Sequence, residues 1–85
     1  MKRLPARWLL YVAADCELCD HAVHVLAQAR APDFECVDIE KEANLVERYG
    51  VRVPVLHDVA GNRDLGWPFD VLEARRFLSA GMPPR

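Results

Sequence analysis

The sequence predicts an α/β domain, spanning residues 1–85 as a single unit, in which a four-stranded mixed sheet is flanked by three helices. Three observations support this prediction. Short apolar runs alternate with runs of helical spacing, two cysteines lie where the first strand gives way to the first helix, and Gly61-Asn62 supplies a hairpin turn. The expected order is β-α-β-α-β-β-α, and its first three elements should form a right-handed parallel crossover.

The four predicted strands differ in how their apolar residues are arranged. Residues 7–14 form an apolar run without clear alternation, which is typical of a strand covered on both faces. Residues 34–39 and the valine-rich residues 51–56 are the second and third strands. Residues 63–66 return antiparallel as the fourth strand after the Gly61-Asn62 turn.

Three segments have the features of helices. Apolar residues recur with helical spacing after Cys16, so the first helix begins there. Residues 40–49 form a short polar helix. Asp70 and Glu73 have the spacing of a capping box and open a last helix, which Gly81 ends.

Composition and charge limit the classes of function. The net charge is −2 and there is no basic tract, so nucleic-acid binding has little support. No apolar stretch approaches the ~20 residues that span a membrane. Met1-Lys2-Arg3 and the apolar run after it resemble a short signal peptide, but Pro5 and Arg7 interrupt the pattern and cleavage would remove the first strand. We therefore expect a cytoplasmic protein that binds neither nucleic acid nor membrane.

Cys16-Glu17-Leu18-Cys19 is the most informative motif of the chain. A thiol at the start of a helix becomes reactive because backbone N–H groups and the helix dipole stabilise its thiolate. Cys16 is therefore the expected attacking thiolate. Cys19 lies one turn further in, on the apolar stripe, and is the expected resolving thiol. The alternative, two ordinary small apolar residues, does not account for their position at the boundary between strand and helix.

Three segments carry a resemblance to a known family. Residues 11–19 match a strand followed by C-x-x-C, residues 49–55 match a segment with a cis Val-Pro bond, and Gly61, Leu65 and Phe69-Asp70 match a final hairpin and helix. With these features the chain resembles small glutaredoxin-like proteins of the thioredoxin-fold superfamily. The resemblance implies a thioredoxin-like fold and a cycle between dithiol and disulfide, with no organic cofactor bound.

The same resemblance implies a substrate-binding surface. Pro54 is the expected cis proline facing the disulfide, and the backbone of Val53 would pair with a bound peptide. The alternative is a proline that ends an edge strand. Arg52 would offset nearby acidic residues or attract a carboxylate, although a solvated surface arginine is equally consistent. Asp70 stands where the family docks the γ-glutamyl group of glutathione, but the usual glycine pair is replaced within residues 65–70.

Asp15, Glu17 and Asp20 surround the two thiols. Negative charge disfavours a thiolate, so we expect Cys16 to be less acidic than the corresponding thiol of a typical glutaredoxin. The simpler interpretation of Asp15 or Glu17 is helix capping. The family also usually carries Pro-Tyr between the cysteines, where this chain has Glu17-Leu18. The resemblance therefore supports the redox chemistry of the family more strongly than it identifies the reductant.

The resulting hypothesis is a monomeric thiol–disulfide oxidoreductase. Its expected partners are protein disulfides or a thiol reductant, with glutathione as a candidate co-substrate. Two alternatives stay open: a peptide-binding module without redox turnover, and an iron–sulfur cluster carrier that uses Cys16 and glutathione. Cys36 is expected to be a small buried apolar residue of the second strand. No metal is expected, because His21 and His24 do not complete a zinc site with the cysteines.

Overall fold

A computed structural model describes residues 6–80 of the chain. The predicted α/β class and order of elements are confirmed, with a 3-10 helix added before the second α-helix. The elements are β1 (Trp8–Val12), α1 (Glu17–Gln28), β2 (Phe34–Asp38), the 3-10 helix (Ile39–Lys41), α2 (Ala43–Tyr49), β3 (Val55–Asp58), β4 (Arg63–Gly66) and α3 (Val71–Ala80). The signal-like residues 1–5 and the predicted helix end at Gly81 lie outside the described residues.

The four strands form one mixed sheet in the order β2-β1-β3-β4. β1 runs parallel to β2 and antiparallel to β3, and β3 runs antiparallel to β4. Tyr11 of β1 lies opposite Val55 of β3, and Val55 lies opposite Gly66 of β4. Because of this register, the end of β1, the start of β3 and the end of β4 meet at one end of the sheet.

Apolar side chains cover both faces of the sheet, as the run at β1 predicts. On one face, Leu10 and Leu56 pack with Leu26 of α1 and with α3. On the other face, Tyr11 packs with Tyr49 of α2, and their rings stack with centroids 4.6 Å apart. Leu10, Leu26 and Leu56 are fully buried, and burial of each such side chain contributes about 1.5–3 kcal/mol. The two layers hold β1, and therefore the segment that follows it, in a fixed position.

The third strand begins later than predicted. Residues 51–53 are not part of a strand, and β3 starts at Val55. The Arg52 N–H donates to the Tyr49 carbonyl at 2.8 Å, so the chain continues to turn after α2, and Val51 is fully exposed. The valine content of this segment predicted a start of the third strand at residue 51, which is wrong because strand propensity is weaker than local hydrogen bonding.

The predicted helix over residues 40–49 is divided into two. The Asp38 side chain accepts from the Glu40 N–H at 2.9 Å and begins the 3-10 helix, after which α2 begins at Ala43. A carboxylate that satisfies a backbone N–H at this point favours a short separate turn over a continuous helix.

A buried carboxylate joins the ends of three strands away from the cysteines. Asp58 is fully buried, and its oxygens accept from Arg7 Nε at 3.2 Å and from an Arg63 terminal nitrogen at 2.7 Å. Arg63 also donates to the Phe77 carbonyl of α3 at 3.1 Å. Burial alone would raise the pKa of Asp58, but the hydrogen bonds from the two arginines outweigh it and hold that pKa well below its usual range.

Candidate active site

Cys16 and Cys19 form a disulfide at the amino end of α1. Their Cα atoms are 5.2 Å apart, within the range of ordinary disulfides. Cys16 is the N-cap residue of the helix, and its Sγ accepts a hydrogen bond from the Cys19 N–H at 3.1 Å. Cys16 is half-buried, whereas Cys19 is buried on the same face as Ala22 and Leu26. The positions of both sulfurs therefore agree with an outer attacking thiol and an inner resolving thiol.

The loop between β1 and α1 is fixed on both sides of the first cysteine. Asp15 has φ 55°, a left-handed conformation that aspartate tolerates better than most residues. The preceding Ala14 N–H donates to Glu40 Oε1 at 3.1 Å, which ties the loop to the 3-10 helix. Glu40 is a residue that sequence reasoning missed, because nothing in its local pattern relates it to a loop so distant in the chain.

The capping interpretation of Asp15 is wrong, because Cys16 itself is the N-cap. Glu17 and Asp20 lie in the first turn of α1, where their charges are favourable to the helix dipole. Asp15 therefore contributes its backbone conformation and its charge, rather than a capping hydrogen bond, to the start of the helix.

A cavity of about 500 Å³ opens beside the disulfide, a volume within the ~300–1,000 Å³ typical of small-ligand sites. Its lining residues include the three cysteines and three carboxylates, namely Cys16, Cys19, Cys36, Asp15, Glu17 and Asp20. Within residues 6–80, no lysine, arginine or histidine side chain lines this cavity. The cavity is therefore open to a substrate sulfur and is negatively charged.

Cys36 differs from its predicted environment. It is exposed, not buried, because β2 is an edge strand of the sheet. Its partner in the register is Leu10, so Cys36 lies on the face that α1 covers. Enough neighbouring atoms surround the sulfur that desolvation raises the pKa of the Cys36 thiol. The charged residues of β2, Glu35 and Asp38, are the sequence signal that could have indicated an exposed strand.

The predicted substrate-binding residues lie at the same end of the sheet as the cysteines. The Val53–Pro54 peptide bond is cis, and Pro54 is buried immediately before β3. The Pro54 carbonyl accepts from the Trp67 N–H at 3.2 Å, which joins this segment to the one after β4. Val53 is half-buried and packs against Tyr49 and its neighbours. Val53 and Pro54 are not among the residues that line the cavity at the disulfide.

Arg52 and Asp70, also predicted to bind substrate, interact with residues outside the cavity at the disulfide. The Arg52 guanidinium lies 5.6 Å from the centroid of the Tyr49 ring. Asp70 Oδ1 accepts from the Glu73 N–H at 2.7 Å, while Glu73 Oε1 accepts from the Asp70 N–H at 3.2 Å. The capping box predicted for α3 is thus confirmed. Neither Arg52 nor Asp70 lines the cavity.

Two features of the same region had no sequence prediction. The Trp67–Pro68 peptide bond is also cis, and the Trp67 ring meets the Phe69 ring edge to face, with centroids 5.0 Å apart.

On the α2 face, His57 Nδ1 lies 2.5 Å from Asp64 Oδ1, and the Tyr49 hydroxyl donates to Asp64 Oδ2 at 3.0 Å. Burial and this hydrogen bond raise the pKa of Tyr49. The network fastens α2 to the sheet.

Comparison with known proteins defines the class of the chain. Residues 7–79 match the family model described as a glutaredoxin-like domain (DUF836), and the chain therefore belongs to this glutaredoxin-like family. The resemblance to small glutaredoxin-like proteins that the sequence indicated is thereby confirmed, together with the thioredoxin-like fold. No curated protein matches the chain.

Three solved structures are similar to this chain. The crystal structure of protein XcR50 from X. campestris is 49% identical over 88% of this chain and 99% of that one, with a TM-score of 0.82. The solution structure of the same protein is 48% identical over 91% and 97%, with a TM-score of 0.83. Protein Ne2328 from Nitrosomonas europaea is 24% identical over 93% and 100%, with a TM-score of 0.74, and supports the fold alone.

The helices and the ligand-type side chains of residues 6–80 bear on two other types of site. None of their helices has the length and apolar character needed to cross a bilayer. Within this described range, no group of three or more His, Cys, Asp or Glu side chains is arranged to hold a metal ion.

Proposed function

We propose that the protein is a thiol–disulfide oxidoreductase in which Cys16 and Cys19 alternate between dithiol and disulfide. The observation that carries the proposal is the Cys19 N–H···Sγ hydrogen bond to Cys16 at the N-cap of α1. A donor aimed at that sulfur, together with the positive end of the helix dipole, stabilises a thiolate there. Membership of the glutaredoxin-like family supports the same chemistry.

The proposed cycle has two exchange steps. The Cys16 thiolate attacks one sulfur of a substrate disulfide, so that a Cys16–substrate disulfide forms and the other substrate sulfur leaves as a thiolate. The Cys19 thiolate then attacks Cys16 Sγ, forms the Cys16–Cys19 disulfide and releases the second substrate thiolate. Two electrons pass from the protein to the substrate, and the released thiolates take up protons from solvent. A thiol reductant returns the protein to the dithiol.

The proposed partners are protein disulfides, glutathione mixed disulfides and a thiol reductant. Glutathione would serve as a co-substrate rather than as a bound cofactor. We further propose that the protein acts as a monomer in the cytoplasm and that Val53 and Pro54 contact the bound substrate, since they lie at the same end of the sheet as the cysteines.

Equilibration in glutathione redox buffers tests the proposal. Aliquots are quenched with acid, alkylated and weighed as intact protein, which counts free thiols and detects bound glutathione. We expect a reversible transition at about −200 to −270 mV, toward the negative end because the neighbouring carboxylates disfavour the thiolate. Cys36→Ser should keep this transition and Cys16→Ser should abolish it. A pair that stays a disulfide, or stays reduced, across the whole range of buffers would overturn the proposal.

A further inference from the structure

The charge around the disulfide is one-sided. Asp15, Glu17 and Asp20 are exposed and line the cavity that contains the cysteines. Arg52, the cation that the sequence placed nearby, lies over the Tyr49 ring. We call Asp15, Glu17 and Asp20 the acidic rim. No cation is among the described residues that line the cavity, so the charged side chains that a substrate meets at the disulfide are all negative.

The backbone fixes where the three residues of the acidic rim lie in the loop and the first turn of α1. Asp15 occupies the left-handed turn before Cys16, and the Ala14–Glu40 hydrogen bond fixes that turn. Glu17 and Asp20 belong to the first turn of α1. The rim therefore keeps three carboxylates in the same cavity as the Cys16 sulfur.

The field of the acidic rim discriminates between classes of disulfide. The Debye length is about 8 Å at physiological ionic strength, so charges within one cavity act on a bound substrate with little screening. Each glutathione unit carries more carboxylates than ammonium groups, and the rim opposes its approach. A disulfide flanked by lysine or arginine is attracted instead. A cleft lined by one sign of charge also raises the association rate of oppositely charged partners by about tenfold or more.

We propose that the acidic rim makes the Cys16–Cys19 pair selective for protein disulfides flanked by lysine or arginine, in preference to glutathione disulfide. This inference rests on the proposed function and names its substrate class. The bonds made and broken are those of the two exchange steps described above, and the rim takes no part in them. Its residues position and select the substrate.

A single-turnover assay with pre-reduced protein tests the proposal. The substrates are two peptide disulfides of equal length, one flanked by lysine and the other by glutamate, together with glutathione disulfide. The rate of Cys16–Cys19 disulfide formation is followed by acid quench, alkylation and mass. Each rate is divided by the rate at which dithiothreitol reduces the same disulfide. This division corrects for differences in intrinsic reactivity between the substrates. The ratio of the two normalised peptide rates then reports selectivity.

Two variants with equal changes in net charge separate the rim from overall charge. The rim variant carries Asp15→Asn, Glu17→Gln and Asp20→Asn, in which asparagine also tolerates the left-handed turn. The control variant carries Asp33→Asn, Glu35→Gln and Glu47→Gln, three exposed carboxylates that do not line the cavity. Removing the rim charges also changes Cys16 reactivity toward every substrate, and for this reason the ratio is the measured quantity.

We expect the wild-type ratio to favour the lysine peptide by about tenfold at low salt, with glutathione disulfide close to the glutamate peptide. The ratio should fall toward one in about 1 M salt, where the Debye length is about 3 Å, and in the rim variant. The control variant should keep the wild-type ratio. A wild-type ratio near one, or equal loss in both variants, would overturn the inference. Failure of all substrates to oxidise the protein would overturn the proposed function instead.

Discussion

Cys36 on the edge strand β2 lines the same cavity as Cys19 on the first turn of α1. A third sulfur therefore lies beside the disulfide. It is exposed, yet desolvation raises the pKa of its thiol, so we expect Cys36 to be accessible but to react slowly near neutral pH.

Alkylation of the oxidised protein should report this environment. Iodoacetamide should add one label, at Cys36, slowly near pH 7 and faster as pH rises toward and above the usual thiol range, because a raised pKa delays formation of the thiolate. Timed reactions followed by intact mass measure the rate at each pH. Cys36→Ser should take up no label while oxidised. A labelling rate that already levels off below about pH 8 would contradict the assignment.

Replacing Cys19 by serine should trap the first exchange intermediate. Both variants are made in a Cys36→Ser background, because Cys36 lines the same cavity. In Cys19→Ser the Cys16 thiolate can still attack a substrate disulfide, but no second thiol then displaces the product. A stable mixed disulfide should accumulate and be visible by non-reducing mass measurement. Cys16→Ser is the matched control and should accumulate little of it, because Cys19 is buried. Equal trapping by both variants would remove the distinction between attacking and resolving thiols.

Loss of the Glu40 carboxylate should affect the rate of thiol–disulfide exchange more than the free energy of unfolding. Glu40→Ala removes the hydrogen bond to the Ala14 N–H and leaves the turn before Cys16 without this tie. The free energy of unfolding should fall by no more than about 1 kcal/mol, since the bond is exposed. The exchange rate should fall several-fold, while Glu47→Ala, on the exposed surface of α2, should leave it unchanged. Unaltered exchange in Glu40→Ala would contradict a positioning role.

Neutralising Asp58 should destabilise the fold strongly. Asp58→Asn removes a fully buried charge that two arginines share, and we expect a loss of about 3 kcal/mol in the free energy of unfolding. Urea titration at pH 7 measures it, and the exposed Asp33→Asn is the control. A loss below about 1 kcal/mol would show that Asp58 contributes little.

The pH dependence of this contribution follows from the depressed pKa of Asp58. A carboxylate with a folded-state pKa below its unfolded value contributes its full stability above the unfolded pKa, and the contribution falls as pH drops toward the folded pKa. The difference between wild type and Asp58→Asn should therefore be constant from about pH 7 to 5 and shrink below about pH 4. A difference that grows on acidification would contradict this sign.

Much of the fold follows from local sequence signals. The C-x-x-C motif, the Gly61-Asn62 turn and the Asp70–Glu73 capping box each determine the backbone within a few residues, and each was placed correctly. The roles of Glu40 and of the Arg7–Asp58 pair could not be recognised, because the residues that meet are 26 and 51 positions apart in the chain. Cys36 was misjudged because its exposure follows from the edge position of β2, for which the charged residues Glu35 and Asp38 were the only local signal. The start of β3 was misplaced because a turn after α2 outweighed valine propensity.

The register puts Asp58 opposite Trp8, the first residue of β1, and Arg63 opposite Asp58, at the far end of the sheet from Cys16. Arg63 there also binds the Phe77 carbonyl, so the hairpin and α3 are joined at that far end. This ion-pair network and the cysteines are thus at opposite ends of the sheet. The exposed residues around the cysteines can consequently be changed for new partners without touching that network, which makes this small domain a convenient scaffold for engineered redox specificity.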